Sequence, residues 1–131
     1  MPFFWTSAVG DNDALRGHAY YIPVRLLNGE RLSPSHQATL FDVLGDAPTR
    51  KPVANLSTKT REFLRSLGQK HPDADEKSAG LIWSHVLAIG FSPAYLLENA
   101  DGIRGNWPRI PLPDKRKGLD ASVCLGDEIT A

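Results

Sequence analysis

The sequence predicts an α+β fold, mainly helical and loop-rich, with a small antiparallel β-hairpin or sheet near the N-terminus. Three observations lead there. One β-rich run at 19–27 is followed directly by Asn28-Gly29, a dipeptide that accepts the positive φ angles of a tight turn. Apolar residues recur at helical spacing in the second half of the chain. Ten prolines and eleven glycines in 131 residues break the chain between short elements. A chain of this length suits one compact domain, burying about two-thirds of the surface it exposes unfolded.

The elements follow in order. Ala19, Tyr20, Tyr21, Ile22, Val24, Leu26 and Leu27 form the strand-like run, and Pro23 inside it points to an edge strand or a bulge because proline donates no ladder bond. Phe3 to Val9 is a candidate partner strand. Ser33-Pro34-Ser35 suits the start of a short helix ending at Gly45, since proline fits the first helical turn. Residues 45–54 read as a loop. Ser57 is placed to cap a helix whose Phe63, Leu64 and Leu67 share one face, with Gly68 at its end.

Residues 69–76 are polar and acidic and read as a solvated linker, broken by His71-Pro72. From Glu76 to Gly90 the apolar residues Leu81, Ile82, Trp83, Val86, Leu87 and Ile89 wrap most of the circumference, which predicts a helix buried on several sides with Trp83 as a core anchor. Ser92-Pro93 restarts the chain as a helix to about Ala100, and Asp101-Gly102 is expected to stop it. The stretch 106–113 carries Pro108, Pro111 and Pro113 and must be extended. A last amphipathic helix begins near 118, with Leu119, Val123, Leu125 and Ile129 apolar. The expected organisation is therefore one domain: hairpin plus helices over 1–68, a linker over 69–76, and a helical region over 77–131. The last helix stops at Ala131 without a capping signal, which suggests a fragment of a larger parent.

Fifteen basic and fifteen acidic residues cancel. A self-sufficient nucleic-acid binder usually carries a basic excess, because phosphate neutralisation supplies most of its affinity. A tight grip on DNA by this chain alone is therefore not expected, unless a larger partner supplies the positive groove. The single cysteine, Cys124, excludes an intramolecular disulfide and gives no metal-site spacing. No apolar run approaches the roughly 18 residues of a membrane span, and the N-terminus lacks the basic, then long apolar, pattern of a signal peptide. The expected location is cytoplasmic, with no membrane partner.

The sequence carries little that points to catalytic chemistry. His18, His36, His71 and His85 are widely spaced, and none pairs with another ligand at a helical i, i+4 interval. His85, among apolar neighbours, reads as a core histidine hydrogen-bonded to backbone or a carboxylate. There is no Gly-x-Ser-x-Gly elbow and no glycine-rich phosphate loop. Ser92-Pro93-Ala94-Tyr95 echoes the Asn-Pro-Pro-Tyr motif of adenine methyltransferases, but it lacks the second proline and follows a helix. Pro72-Asp73 with Asp75, Glu76 and Lys77 has the residue types of a PD-(D/E)xK nuclease at a spacing too short for one. Basic residues cluster in three places: Arg50-Lys51; Lys59, Arg61 and Arg65 on a helix; and Arg104, Arg109, Lys115, Arg116 and Lys117 around the proline-rich segment. Each reads either as solvated surface or as phosphate contacts that position a protein on DNA without reading bases.

The most specific pattern runs from Leu81 to Pro113. An apolar helix containing Trp83 is followed by Ser92-Pro93-Ala94-Tyr95, then Glu98-Asn99, then Trp107-Pro108-Arg109-Ile110-Pro111-Leu112-Pro113. This resembles the C-terminal, target-recognition side of large bacterial adenine-specific DNA methyltransferases of the type ISP and type IIG restriction–modification kind. The resemblance is strongest over 81–131 and loose before it. Trp83, Ser92, Pro93, Tyr95, Trp107, Pro108, Ile110 and Pro111 carry it as structural residues. It implies a role in DNA recognition or in scaffolding, with DNA and the parent's methyltransferase domain as partners. The family's S-adenosylmethionine-binding loop and catalytic Asn-Pro-Pro-Tyr loop have no counterpart in this sequence, so the resemblance implies no catalytic residue, cofactor or metal here; S-adenosylmethionine is expected only in the parent enzyme. The alternative is an independent small cytoplasmic protein–protein interaction module, using the Trp107–Pro113 strip as a ligand for a partner. An enzyme of another type would need several polar side chains converging in one pocket.

Overall fold

The structure is a computed structural model that describes residues 5–7, 22–27 and 51–131. The Asn28-Gly29 turn, the helix expected at 33–45, most of the 3–9 strand, the first part of the 19–27 strand and Arg50 lie outside the described residues. Among those described, the order is β1 (Arg25–Leu27), β2 (Pro52–Ala54), α1 (Thr58–Ser66), α2 (Glu76–Gly90), α3 (Pro93–Glu98), α4 (Ala100–Gly105) and α5 (Arg116–Thr130). The chain is α+β, mainly helical with a small antiparallel sheet on its N-terminal side.

The sheet differs in one respect from the local reading. Pro52–Ala54 lies in the segment expected to be loop, yet it pairs antiparallel with β1 in the register Arg25↔Ala54, Leu26↔Val53, Leu27↔Pro52. Pro52 takes the first position of its strand, where a missing N–H is tolerated. The ladder is extended by Asn55, whose backbone N–H donates to Val24 O at 2.9 Å and whose side-chain amide donates to Pro23 O at 2.8 Å.

Helix α1 starts and stops as its sequence predicts. Ser57 Oγ accepts the Thr60 N–H at 3.2 Å. At the other end Gly68 adopts φ +88°, the left-handed conformation that glycine reaches without steric cost. That turn lets Gly68 N–H reach Arg65 O (3.0 Å) and Gln69 N–H reach Leu64 O (2.9 Å), so the last carbonyls are satisfied in a Schellman arrangement. Asp75 caps α2 by accepting the Ser78 N–H at 2.7 Å. Ser92 caps α3, which has proline in its first turn.

Asp101 and Gly102 do not end the helical run. Asn99 ends it instead: its side chain donates to Tyr95 O at 2.9 Å, and a separate turn, α4, starts at Ala100. Asp101 sits in the first turn of α4, where a carboxylate offsets the exposed N–H groups.

The core lies between α1, α2 and α5. Leu64, Leu81, Ile82, Leu119 and Val123 form its buried centre, with Leu56, Phe63, Leu67 and Val86 packed around it. Leu64 and Leu119 are fully buried. Trp83 is not the anchor that its size suggests. It is half-buried, one residue and about 100° of helix beyond Ile82, and it lines a cleft with Trp5 and Val24. On α5 the buried positions are Leu119, Val123 and Gly126, while Leu125 is 58% exposed. An i, i+4, i+7 stripe faces α2, and Leu125 at i+6 falls about 120° away from Leu119.

Helices α2 and α5 approach tightly at Gly126. A β-carbon there would collide with the backbone carbonyl of Ser84. Beside that contact Ser84 Oγ donates to Asp127 Oδ1 at 2.7 Å, tying the two helices by side chains as well.

Candidate functional site

The segment 106–113 lies outside helix and strand, as its prolines favour, and it is held from beneath by two buried side chains. Tyr95 on α3 donates its hydroxyl to Arg109 O at 3.1 Å. His85 on α2 places Nε2 2.9 Å from Pro111 O. The two carbonyls belong to residues i and i+2, which an extended chain points to the same side. Tyr95 is 8% exposed and His85 2% exposed, so both anchors reach the strap from the interior.

Hydrogen bonding fixes one ring nitrogen of His85. Pro111 O can only accept, so Nε2 carries a proton. Nδ1 lies 2.7 Å from Ser122 Oγ, and that hydroxyl is also 2.8 Å from Leu119 O. With a neutral ring, Ser122 donates to Nδ1. With a charged ring, Nδ1 donates to Ser122, which then donates to Leu119 O. In both arrangements His85 joins α2, α5 and the strap, and its expected role as a hydrogen-bonded core histidine is what the geometry gives.

On this frame the basic residues singled out in the sequence sit on several different elements. Arg109 is exposed on the clamped strap, and no ion pair joins it to Glu98 among the described residues. Arg104 is exposed on α4 and stands 3.7 Å from Asp101. Arg116 is ion-paired one turn along α5 with Asp120 at 2.7 Å. Lys115 and Lys117 are exposed at the start of α5, and Lys51 is exposed just before β2. Trp107 is 60% exposed, with its backbone N–H 2.9 Å from Asn106 Oδ1. Pro108 and Ile110 are half-buried, and Pro111 is exposed apart from its engaged carbonyl.

A second cluster was not legible as a site. Asp73, in the stretch expected to be a solvated linker, is exposed but fully engaged. Its carboxylate accepts from Arg61 twice, at 2.8 and 2.9 Å, and from the Ala54 N–H at 2.7 Å. Arg61 also donates to Ala54 O at 2.7 Å, and Arg25 donates to Pro52 O at 2.8 Å and Asp73 O at 3.3 Å. The sheet, α1 and the 69–75 segment are thus joined at one point. The Arg61 hydrogen bonds hold the Asp73 carboxyl below its ordinary range, burial opposing them and the Ala54 amide and Arg25 charge assisting. The Ser78 amide does the same for Asp75, the cap of α2.

Beside the Arg61–Asp73 pair lies an open groove of about 440 Å³, lined by Arg65, Lys70 and His71 as well as the pair itself. Only the turn at Gly68 brings Lys70 and His71 back alongside α1. Spacing alone could not show this, because the three residues fall on a helix and on a loop beyond its cap. Among the described residues, no group of three or more His, Cys, Asp or Glu is placed to hold a metal ion, and no helix is long and apolar enough to cross a membrane. Cys124 is exposed on α5. No family model, curated protein or solved structure matches the chain.

Proposed function

We propose that this chain is a DNA-recognition or scaffolding unit of the kind found on the C-terminal side of adenine-specific DNA methyltransferases in restriction–modification systems, with no catalytic residues of its own. The observation that carries the reading is the clamped strap. Tyr95 and His85 hold the backbone carbonyls of Arg109 and Pro111, so Trp107, Arg109 and Leu112 project from a stiff and externally braced chain. A proline-rich strap fixed at two points holds neighbouring modules at a set offset with little entropy left to lose. Exposed Arg109, Lys115 and Lys117 supply charge for phosphate contacts close to it in sequence. In this reading methyl transfer and its S-adenosylmethionine belong to the parent's methyltransferase domain.

The test is titration of the labelled protein with a duplex DNA oligonucleotide at low salt, followed by NMR. Weak binding that fades steeply as salt rises is expected. An unchanged spectrum up to millimolar duplex overturns the DNA reading.

One observation favours the alternative, a protein–protein interaction module. Leu97, Trp107, Leu112 and Leu125 expose large apolar side chains, Leu97 at 81%. The two readings part in the same titration, since a pure interaction module leaves the DNA arm silent.

A further inference from the structure

We infer that the groove between the C-terminal half of α1 and the 69–74 loop is a phosphate-binding subsite. Resting on the DNA reading above, its ligand is a phosphodiester of the DNA backbone. The residues that would contact the anion are Arg65, Lys70 and His71, and they differ from the strap-side cations that the sequence singles out.

Among the described residues, Asp73 is the one acidic side chain lining the groove, and it is fully committed to Arg61 and the Ala54 amide. Its charge is therefore cancelled within the wall. Arg65 and Lys70 have no carboxylate partner among the described residues and leave two uncompensated positive charges on one concave surface. By contrast, Arg104 and Arg116 on the strap side each have an aspartate beside them.

The donors also suit a phosphate. Arg65 offers a planar fork for two oxygens, Lys70 a mobile point charge, and the His71 ring at least one N–H. Arg61 and Arg65 are one helical turn apart, so the neutralised pair forms a fixed floor next to the free guanidinium. The end of α1 would ordinarily repel an anion through its free carbonyls. Here Leu64 O and Arg65 O are already occupied by the Gln69 and Gly68 N–H groups, which removes much of that penalty. The groove is open to solvent, as a backbone phosphate of a large ligand requires. Its anchoring through Asp73 to β2 and Arg25 keeps it formed without the ligand.

The experiment compares the wild-type chain with Arg65→Gln/Lys70→Gln and, as a control, Lys115→Gln/Lys117→Gln. All four side chains are exposed and make no hydrogen bond among the described residues, so the variants are expected to fold. Each protein is titrated with inorganic phosphate by NMR and with duplex DNA by fluorescence anisotropy across a range of salt. The expected result is that phosphate shifts the His71 signals in the wild type and the control but not in the groove variant. For DNA, the groove variant loses about tenfold in affinity, and its log K against log salt slope falls by about 1, as expected when one phosphate is no longer neutralised. If DNA binds the wild type and the groove variant equally, the groove is not the DNA contact and this inference falls, while the DNA reading stands. If phosphate titrates the groove but duplex does not bind, the DNA reading falls and the subsite's ligand is a small phosphate compound. Silence in both arms overturns both.

Discussion

His85 Nε2 and the carbonyl oxygen of Pro111 stand 2.9 Å apart across 26 residues of chain, joining the middle of a buried helix to an exposed strap. Tyr95 makes the matching bond to Arg109 O two residues earlier. If these bonds hold the strap down, Tyr95→Phe should lower unfolding stability by about 1 kcal/mol, the usual net worth of one hydrogen bond. His85→Phe should cost about 1–3 kcal/mol, since it also disturbs Ser122. Urea denaturation of both variants checks this, and a His85→Phe protein as stable as wild type would show that the strap is not clamped there.

Gly126 lies against the Ser84 carbonyl with no room for a β-carbon. Alanine is the better helix former, so propensity alone predicts about 1 kcal/mol of stabilisation for Gly126→Ala. The packing term wins here, because the obstruction is backbone and α2 must move away from α5. A net loss of about 1–3 kcal/mol is expected from thermal or urea unfolding. A gain in stability would mean that the two helices do not cross so closely.

Asp73 links stability to pH. Its folded-state pKa is depressed below the ordinary 3.8, chiefly by its hydrogen bonds to Arg61. A carboxyl of this kind binds its proton more readily when unfolded. Its contribution is therefore complete above about pH 5 and disappears as pH falls through and below the ordinary value. Because the side chain is 42% exposed, solvent screening limits the effect to about 1 kcal/mol. Asp73→Asn should be less stable than wild type by that amount at pH 7, with the difference closing below pH 4. A gap that stays constant from pH 7 to pH 3 would rule out the charge as its source.

The core is expected to be most sensitive at its leucines. Leu64 and Leu119 are fully buried, and truncating either to alanine should cost about 2–5 kcal/mol. Trp83 is half-buried, and its Nε1 is buried with no hydrogen-bond partner among the described residues. Trp83→Phe sacrifices no hydrogen bond and removes an unsatisfied donor, so it should cost under about 1.5 kcal/mol. Calorimetry of Trp83→Phe and Leu119→Ala gives the order directly, and the reverse order would place the core around the tryptophan.

Sequence alone determined the features governed by neighbours along the chain. Ser57 and Ser92 cap helices because their hydroxyls reach N–H groups three residues on. Gly68 ends α1 because only glycine takes φ +88° freely, and 106–113 stays out of a helix because its prolines break one. The helical periods of α1, α2 and α5 were legible for the same reason, since each turn reports on the next.

Tertiary structure decided what depends on residues far apart in sequence. Val53 became a strand residue only because Leu26 lay opposite it. Trp83 gave up the core to Leu64 and Leu119 because the direction of α2 is set by its contact with α5. Asp73 looked like a solvated linker carboxylate until Arg61, 12 residues earlier, and the Ala54 amide closed around it. The groove of Arg65, Lys70 and His71 exists only once the chain has reversed at Gly68. Local propensity fixes dihedral angles, whereas partners for buried groups and charges are chosen by packing, which no window of sequence contains.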